Sequence, residues 1–178
     1  MRRISILCAA LLALAFAAPA FAGSAHFKKG GEPVCTVSNS GASSSTVCGA
    51  SLAGLGNGDL QINVTVSGFA VYQCQNPGGN TAPGQNRVLE GPVTAPTTIP
   101  SGQIKNGNVT FTTNPAVLTA PSTVSAAEAG CPSAGWTGVN PSLTVTNIDM
   151  TISQGGTQLF DCTASNPNGL SGSVPLTC

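Results

Sequence analysis

Residues 60–67 read Leu-Gln-Ile-Asn-Val-Thr-Val-Ser, and this stretch decides the fold class. Apolar side chains occupy every second position and polar side chains the positions between them, which is the period of a β-strand with one buried face. The same phase continues through Tyr72 to Cys74. One straight strand of that length would span about 50 Å, too long for a small sandwich. We therefore predict a bend or bulge at Ser67-Gly68, where glycine permits it.

Similar short β-branched runs, separated by turn residues, recur along the rest of the chain. Asn106-Gly107 is typical of a two-residue hairpin turn, which predicts a hairpin over residues 99–113. The apolar phase changes between residues 143–145 and 148–152, and a bulge near Thr146-Asn147 would reconcile the two halves. The one helical signal is a capping-box spacing over residues 125–128, enough for one or two turns.

This pattern predicts the fold class. Many short strands with regular turn signals favour an all-β, immunoglobulin-like two-sheet sandwich of about seven to nine strands, stapled by disulfides. No linker divides the chain, so we expect residues 23–178 to form a single disulfide-bonded β-sandwich domain.

The first residues predict export. Arg2 and Arg3 precede a short apolar run, and Ala20-Phe21-Ala22 places small residues where a signal peptidase requires them. Residues 1–22 are therefore predicted to be a signal peptide that is removed after Ala22. We expect the mature chain to be extracellular, on the cell surface or in the periplasm, without membrane association once the signal has been removed.

The cysteines support the same compartment. Six cysteines follow the predicted signal, and an even number in an exported chain indicates three disulfides. Six cysteines allow fifteen pairings, which the sequence alone does not resolve. The spacing favours Cys35–Cys48 across a turn-rich hairpin, Cys162–Cys178 at the C-terminal strand, and Cys74–Cys131 between the remaining two. A zinc site is disfavoured because the chain has no C-x-x-C pair and only one histidine.

The charge balance excludes two classes of partner. Outside the predicted signal the chain carries four basic and six acidic side chains. A nucleic-acid-binding protein needs a basic stripe that displaces counterions, and an anionic membrane surface attracts clusters of Lys and Arg. We therefore expect no nucleic-acid partner and no membrane partner.

Candidate catalytic residues are sparse. The only histidine is His26, close to the predicted mature N-terminus, so a Ser-His-Asp triad requires this segment to fold back onto the domain. The acidic residues show no spacing that pairs two carboxylates for glycoside hydrolysis. Asn57-Gly58-Asp59 offers one carboxylate, which favours a turn over a calcium loop. We predict that the protein is not an enzyme and has no metal or cofactor.

The most distinctive segment covers residues 74–86 and reads C-Q-N-P-G-G-N-T-A-P-G-Q-N. Its Pro-Gly pairs and asparagines predict a turn-dense loop, and rigid scaffolds commonly carry binding sites on such loops. The candidate binding residues are Asn76, Pro77, Gly78, Gly79, Asn80, Pro83, Gly84, Gln85 and Asn86. An ordinary connection stapled by Cys74 is the alternative interpretation.

Together with residues 25–28 and 104–108, this segment resembles a group of small secreted bacterial β-sandwich proteins of unknown function. The resemblance implies export and a β-fold, and it brings no activity with it.

These observations favour a non-enzymatic secreted or surface-associated module with a binding or structural role. The expected partner is an extracellular protein or a glycan, or a second copy of the chain. One alternative is a small extracellular enzyme or copper-binding protein that uses His26. A histidine at the first position can bind copper with its amine and its ring, and one at the third position can bind it with the amine, two backbone amides and the imidazole. Cleavage after Ala22 would make His26 the fourth residue, which allows neither arrangement. Another alternative is a self-assembling fibre subunit in which residues 23–34 add a strand to a neighbour's sheet.

Overall fold

The computed structural model describes residues 25–178, so the predicted signal peptide 1–22 and its cleavage site lie outside the described residues. Two antiparallel β-sheets pack face to face around one apolar core, which confirms the predicted all-β two-sheet sandwich. Across residues 25–178, no helix has the length and hydrophobicity needed to cross a bilayer.

The first sheet contains six strands and the second contains five. The first sheet is built from β1 (His26–Phe27), β2 (Val34–Ser40), β3 (Ser43–Ala53), β6 (Val109–Thr112), β7 (Ala116–Thr119) and β11 (Gly172–Pro175). The second sheet is built from β4 (Leu60–Gln75), β5 (Thr81–Ile99), β8 (Thr123–Ser125), β9 (Thr137–Gln154) and β10 (Thr157–Leu170). A 3₁₀ helix (Ser101–Gln103) and helix α1 (Ala126–Ala129) lie in the connections. The strand number exceeds the expected seven to nine because several strands are only two to four residues long.

Each sheet is organised around a long central strand. In the first sheet, Leu52 of β3 pairs with Phe27 on one side and with Val109 on the other, while β2 and then β11 extend the sheet. In the second sheet the strand order is β10-β9-β4-β5, and β8 pairs with the first residues of β9. An antiparallel bridge between Thr163 and Thr177 joins one edge of the second sheet to the C-terminus.

The core confirms the alternation from which the fold class was predicted. Leu60, Ile62, Val64 and Val66 are at most 1% exposed, and the intervening polar residues point to the opposite face. Because these apolar side chains face the first sheet, they pack against its inner residues and form one continuous core.

The two bulges predicted from the sequence are one feature of the structure. Ser67 pairs with Asn147, whereas Gly68 pairs with Val145, so Thr146 is the extra residue and β4 keeps its phase. Glycine is required at position 68 because a Cβ atom there would collide with the carbonyl oxygen of Thr144. The pairing of β4 with β5 also shifts register between Val66 and Gly68, so an irregularity lies on both sides of β4 at the position predicted from Ser67-Gly68.

The predicted hairpin over residues 99–113 is only partly correct. Asn106 and Gly107 have φ values of 51° and 70° and form a tight turn between Lys105 and Asn108, as predicted. However, β5 ends at Ile99, and the strand that follows the turn, β6, pairs with β3 of the first sheet. Pairing with β3 is favoured over a hairpin with β5 because it buries the alternating apolar residues of β6.

The disulfides join Cys35 to Cys48, Cys74 to Cys131 and Cys162 to Cys178, the connectivity that the spacing favoured. Cys35 and Cys48 are directly opposed residues of β2 and β3. Three disulfides in one domain are typical of proteins that fold outside the reducing cytoplasm.

Candidate functional site

The segment predicted to be a binding loop is mostly a strand. Only Asn76, Pro77, Gly78, Gly79 and Asn80 form a turn, which the Asn76 side chain closes by accepting a hydrogen bond from the Asn80 backbone N–H at 2.9 Å. Pro83, Gly84, Gln85 and Asn86 belong to β5, where Pro83 pairs with Gln73 of β4. The prediction of a thirteen-residue loop is therefore wrong, because an edge strand tolerates the prolines that suggested turns.

Two of the candidate binding residues hold β5 in place. A Cβ atom at Gly84 would lie 2.5 Å from the carbonyl oxygen of Tyr72 and 2.7 Å from that of Ala129. Glycine therefore lets the backbone of β5 lie close to the backbones of β4 and α1. The Asn86 side chain donates a hydrogen bond to the carbonyl oxygen of Ala127 in helix α1 at 3.0 Å. These contacts give Gly84 and Asn86 a role in packing β5 against β4 and α1.

The outer surface of the second sheet carries the most extensive set of polar side chains, and we call it the polar face. It follows from the register, because directly paired residues of neighbouring strands share a face. Asn63, for example, lies between Pro96 of β5 and Thr151 of β9. The polar face consists of Gln61, Asn63, Thr65, Ser67, Thr94, Pro96, Thr98, Asn147, Asp149, Thr151, Ser153, Gln158, Asp161, Thr163 and Ser165.

Neighbouring side chains of the polar face bond to each other. The hydroxyl groups of Thr65 and Thr94 are 2.8 Å apart, and Thr98 donates to the amide oxygen of Gln61 at 2.8 Å. Ser165 donates to the amide oxygen of Asn147 at 2.7 Å. These bonds hold the hydroxyl and amide groups in fixed positions, so less rotamer freedom is lost when a ligand binds.

Two carboxylates lie within the polar face. Asp149 pairs with Thr163 and Asp161 pairs with Thr151, so the two acids are diagonal neighbours on adjacent strands. Burial raises the pKa of Asp149, and the negative charge of Asp161 raises it further. The acidic character of the polar face is concentrated at this point.

Arg87 marks a chemically different end of the same sheet surface. Its guanidinium lies 4.2 Å from the centre of the Phe69 ring, and its Nη1 donates to the carbonyl oxygen of Pro167 at 3.2 Å. Leu89, the residue paired with Phe69, is 85% exposed. A cavity of about 260 Å³ lies among these residues together with Thr146, Asn147 and Ser165, and we call it the Arg87 pocket.

The outer surface of the first sheet differs in composition. Val34 and Val117 are 39% and 45% exposed there, and the remaining outward positions are mainly serine and threonine. No ionisable side chain lies among the outward positions of its described strands β2, β3, β6, β7 and β11. This surface offers hydroxyl groups but lacks the amide and carboxylate groups of the polar face.

The other candidate sites do not form clusters. His26 is an exposed residue of the short strand β1, and residues 25–178 contain no group of three or more histidine, cysteine or acidic side chains placed to hold a metal. The carboxylate of Asp59 accepts a hydrogen bond from the Ser101 backbone N–H at 2.8 Å. Asp59 therefore contacts the first residue of the 3₁₀ helix, and the chain bends at residues 57–58, just before β4.

Sequence reasoning missed Arg87, Leu89, Asp149 and Asp161. Alternation alone would have placed Asp149 on the outer face of its strand, opposite Ile148 and Met150. The contact between Arg87 and Phe69 depends on the long-range register of β4 and β5, for which the sequence contains no local signal. No protein-family model matches the chain, and no curated protein is similar to it in sequence.

Proposed function

We propose that this protein is an exported, non-enzymatic module that binds a glycan through the polar face. The observation that carries this proposal is the arrangement of the face itself, four strands wide, with amides and hydroxyls already fixed by hydrogen bonds such as Thr65–Thr94 and Ser165–Asn147. Export is supported by the predicted signal peptide and by the three disulfides.

The chemistry of the polar face matches that of a neutral sugar chain. Each sugar hydroxyl both donates and accepts hydrogen bonds, and so do the amide and hydroxyl side chains of this surface. The carboxylates of Asp149 and Asp161 add strong acceptors for hydroxyl donors, and charge-assisted bonds of this kind are stronger than neutral ones. A weakly charged surface lacks the field that steers an ionic polymer, so its contacts with a ligand rest on hydrogen bonds.

The two alternative functions have less support. The segment proposed to donate a strand to a neighbour is already paired with its own chain, since Lys28 N–H donates to the carbonyl oxygen of Ser51 at 2.9 Å. The Phe27 ring also packs against the Phe160 ring, and the centres of the two rings are 4.4 Å apart. Strand exchange would therefore have to break these contacts first. Copper binding through His26 is less well supported because residues 25–178 contain no group of three or more histidine, cysteine or acidic side chains that could hold a metal ion.

Cosedimentation of the mature protein with insoluble polysaccharides such as cellulose, chitin and xylan tests the proposal. We expect at least one of them to retain the protein, and the double variant Gln61→Ala/Asn63→Ala to bind at least several-fold more weakly. The matched control is Thr36→Ala/Ser38→Ala on the outer face of the first sheet, which should bind like the unchanged protein. Failure of every polysaccharide, or equal losses in both variants, would contradict the proposed function.

A further inference from the structure

The Arg87 pocket contains a cation that has no acidic partner among residues 25–178. Within residues 25–178, Arg87 contacts the Phe69 ring and the carbonyl oxygen of Pro167, and neither is a carboxylate. A guanidinium has five N–H donors in a fixed fork, and the bond to Pro167 uses one of them. Because the stacking and the carbonyl bond hold the group in place, its remaining donors are preorganised for an anion.

The rest of the pocket is suited to a sugar ring. Leu89 is 85% exposed beside Arg87 and presents an apolar surface to the C–H face of a ring. Ser165 and Thr146 line the same pocket. Their hydroxyl groups donate to Asn147 and to the carbonyl oxygen of Ser67, which leaves each oxygen a lone pair with which it could accept a hydrogen bond from a ring hydroxyl. The pocket volume of about 260 Å³ is slightly below the range of pockets that hold drug-sized ligands. A pocket of this size suits a single sugar ring.

We propose that the Arg87 pocket is a subsite for a carboxylated sugar, with the carboxylate on Arg87 and one face of the ring on Leu89. This deepens the proposed function by naming one residue of the glycan, and the neutral part of the chain then extends over the polar face.

The charges on the sheet limit where the carboxylated sugar sits. The Arg87 guanidinium lies over Phe69, which is four residues along β4 from Thr65, the partner of Asp149. At the rise of a β-strand this places the guanidinium about 13 Å from Asp149 along the sheet, beyond the screening length of about 8 Å in physiological salt. Asn147, at the other side of the pocket, is only two residues from Asp149. The carboxylate therefore belongs at the Arg87 end of the pocket, and a chain of closely spaced acidic sugars would be repelled by Asp149 and Asp161.

The experiment compares D-glucuronate with D-glucose, two sugars with the same ring that differ in whether the C6 group is a carboxylate. Titration of isotopically labelled mature protein, followed by NMR, should show saturable shifts at the Arg87 Nε–H and at the amides of Leu89 and Asn147 with glucuronate. Glucose should bind about tenfold more weakly or worse, because it lacks the charged hydrogen bonds. Acetate should also bind more weakly, since it makes no contact with Leu89.

Two variants test the assignment of residues. Arg87→Gln should lower glucuronate affinity by about tenfold or more. Leu89→Ser changes a side chain that is 85% exposed, and it should weaken glucuronate binding severalfold while leaving the amide spectrum otherwise unchanged. Equal binding of glucose and glucuronate, full affinity in either variant, or no saturable shift would overturn the subsite. If the protein binds glucuronate but no polysaccharide retains it, the proposed function is contradicted while the subsite is still supported.

Discussion

Tyr72 donates its phenolic hydrogen to the carbonyl oxygen of Pro121 at 3.0 Å, which connects the C-terminal part of β4 to the segment that leads into β8. The side chain is only 1% exposed, and its hydroxyl also lies 3.5 Å from Oε1 of Glu90. Burial, together with the negative charge of Glu90, raises the pKa of Tyr72 from 10.0 to about 12.

This shift predicts a specific loss of stability in alkali. The folded-state pKa lies above the unfolded value, so the stabilisation is complete below pH 10.0 and is lost as the pH rises towards 12. At 1.36 kcal/mol per pKa unit the effect is at most about 3 kcal/mol. Denaturant unfolding at a series of pH values measures it, and tyrosinate absorbance follows the ionisation directly because Tyr72 is the only tyrosine.

Tyr72→Phe provides the control for the alkaline transition. The variant should be about 1 kcal/mol less stable at neutral pH because the bond to Pro121 is lost. Its unfolding free energy should then change little between pH 10.0 and 12, where the unchanged protein loses stability. Tyrosine ionisation near pH 10.0 in the folded protein would contradict the assigned environment.

Gln154 is predicted to hold the loop before β4 in place. Its amide nitrogen donates to the carbonyl oxygens of Gly56 at 3.0 Å and Gly58 at 2.9 Å, and its oxygen accepts from the Gly56 N–H at 2.9 Å. Gln154→Ala leaves these backbone groups without their hydrogen-bond partner, so we expect the free energy of unfolding to fall by about 2–3 kcal/mol. Thermal and denaturant unfolding measure this change.

Gln154→Glu gives a sharper version of the same test. The new carboxylate keeps the bond from the Gly56 N–H but faces two carbonyl oxygens with a negative charge. The variant should be destabilised at neutral pH and should recover part of its stability on acidification, because the protonated acid can donate again. Gln158→Glu, an exposed position of β10, should show neither effect.

Thr46→Val is predicted to stabilise the protein. Thr46 is fully buried, and its hydroxyl has no hydrogen-bond partner among the described residues. Valine has nearly the same shape without the unsatisfied polar group, so we expect a gain of about 1 kcal/mol. A fall in the unfolding midpoint would show that the hydroxyl is satisfied in solution.

The disulfides should differ in what their removal costs. Cys74–Cys131 has a sequence separation of 57 residues and Cys35–Cys48 one of 13. In the chain-entropy model these losses are about 4 and 3 kcal/mol respectively. The pair Cys74→Ala/Cys131→Ala should therefore unfold at a lower denaturant concentration than Cys35→Ala/Cys48→Ala. The reverse order would show that loop length does not govern their contributions.

Local patterns in the sequence predicted much of the fold. The alternation that starts at Leu60 identified β4, and the change of phase after Val145 located the bulge at Thr146. The capping-box spacing predicted α1, where Ser125 and Glu128 make both expected bonds. Each of these features depends on residues close together in the chain, so the sequence carries its signal directly.

The candidate site was less predictable because its geometry depends on distant residues. Pro83 indicated a turn when read locally, yet it lies in β5 because edge strands accommodate proline. Phe69 follows the outward phase of Asn63 and Thr65, but nothing near it in the sequence indicates that Arg87, eighteen positions later, covers its ring. The polar face, likewise, exists only once four strands are in register.

The most direct test of the proposed function is to map where a glycan touches the protein. Backbone amide shifts of the mature protein should be recorded with soluble oligosaccharides from the polysaccharide that retains it. We expect shifts confined to the strands of the polar face and centred on Asn63 and Thr151, and we expect Gln61→Ala/Asn63→Ala to need at least severalfold more oligosaccharide to reach the same shifts. Shifts on the outer face of the first sheet or at the turn from Asn76 to Asn80, or no shifts at all, would contradict it.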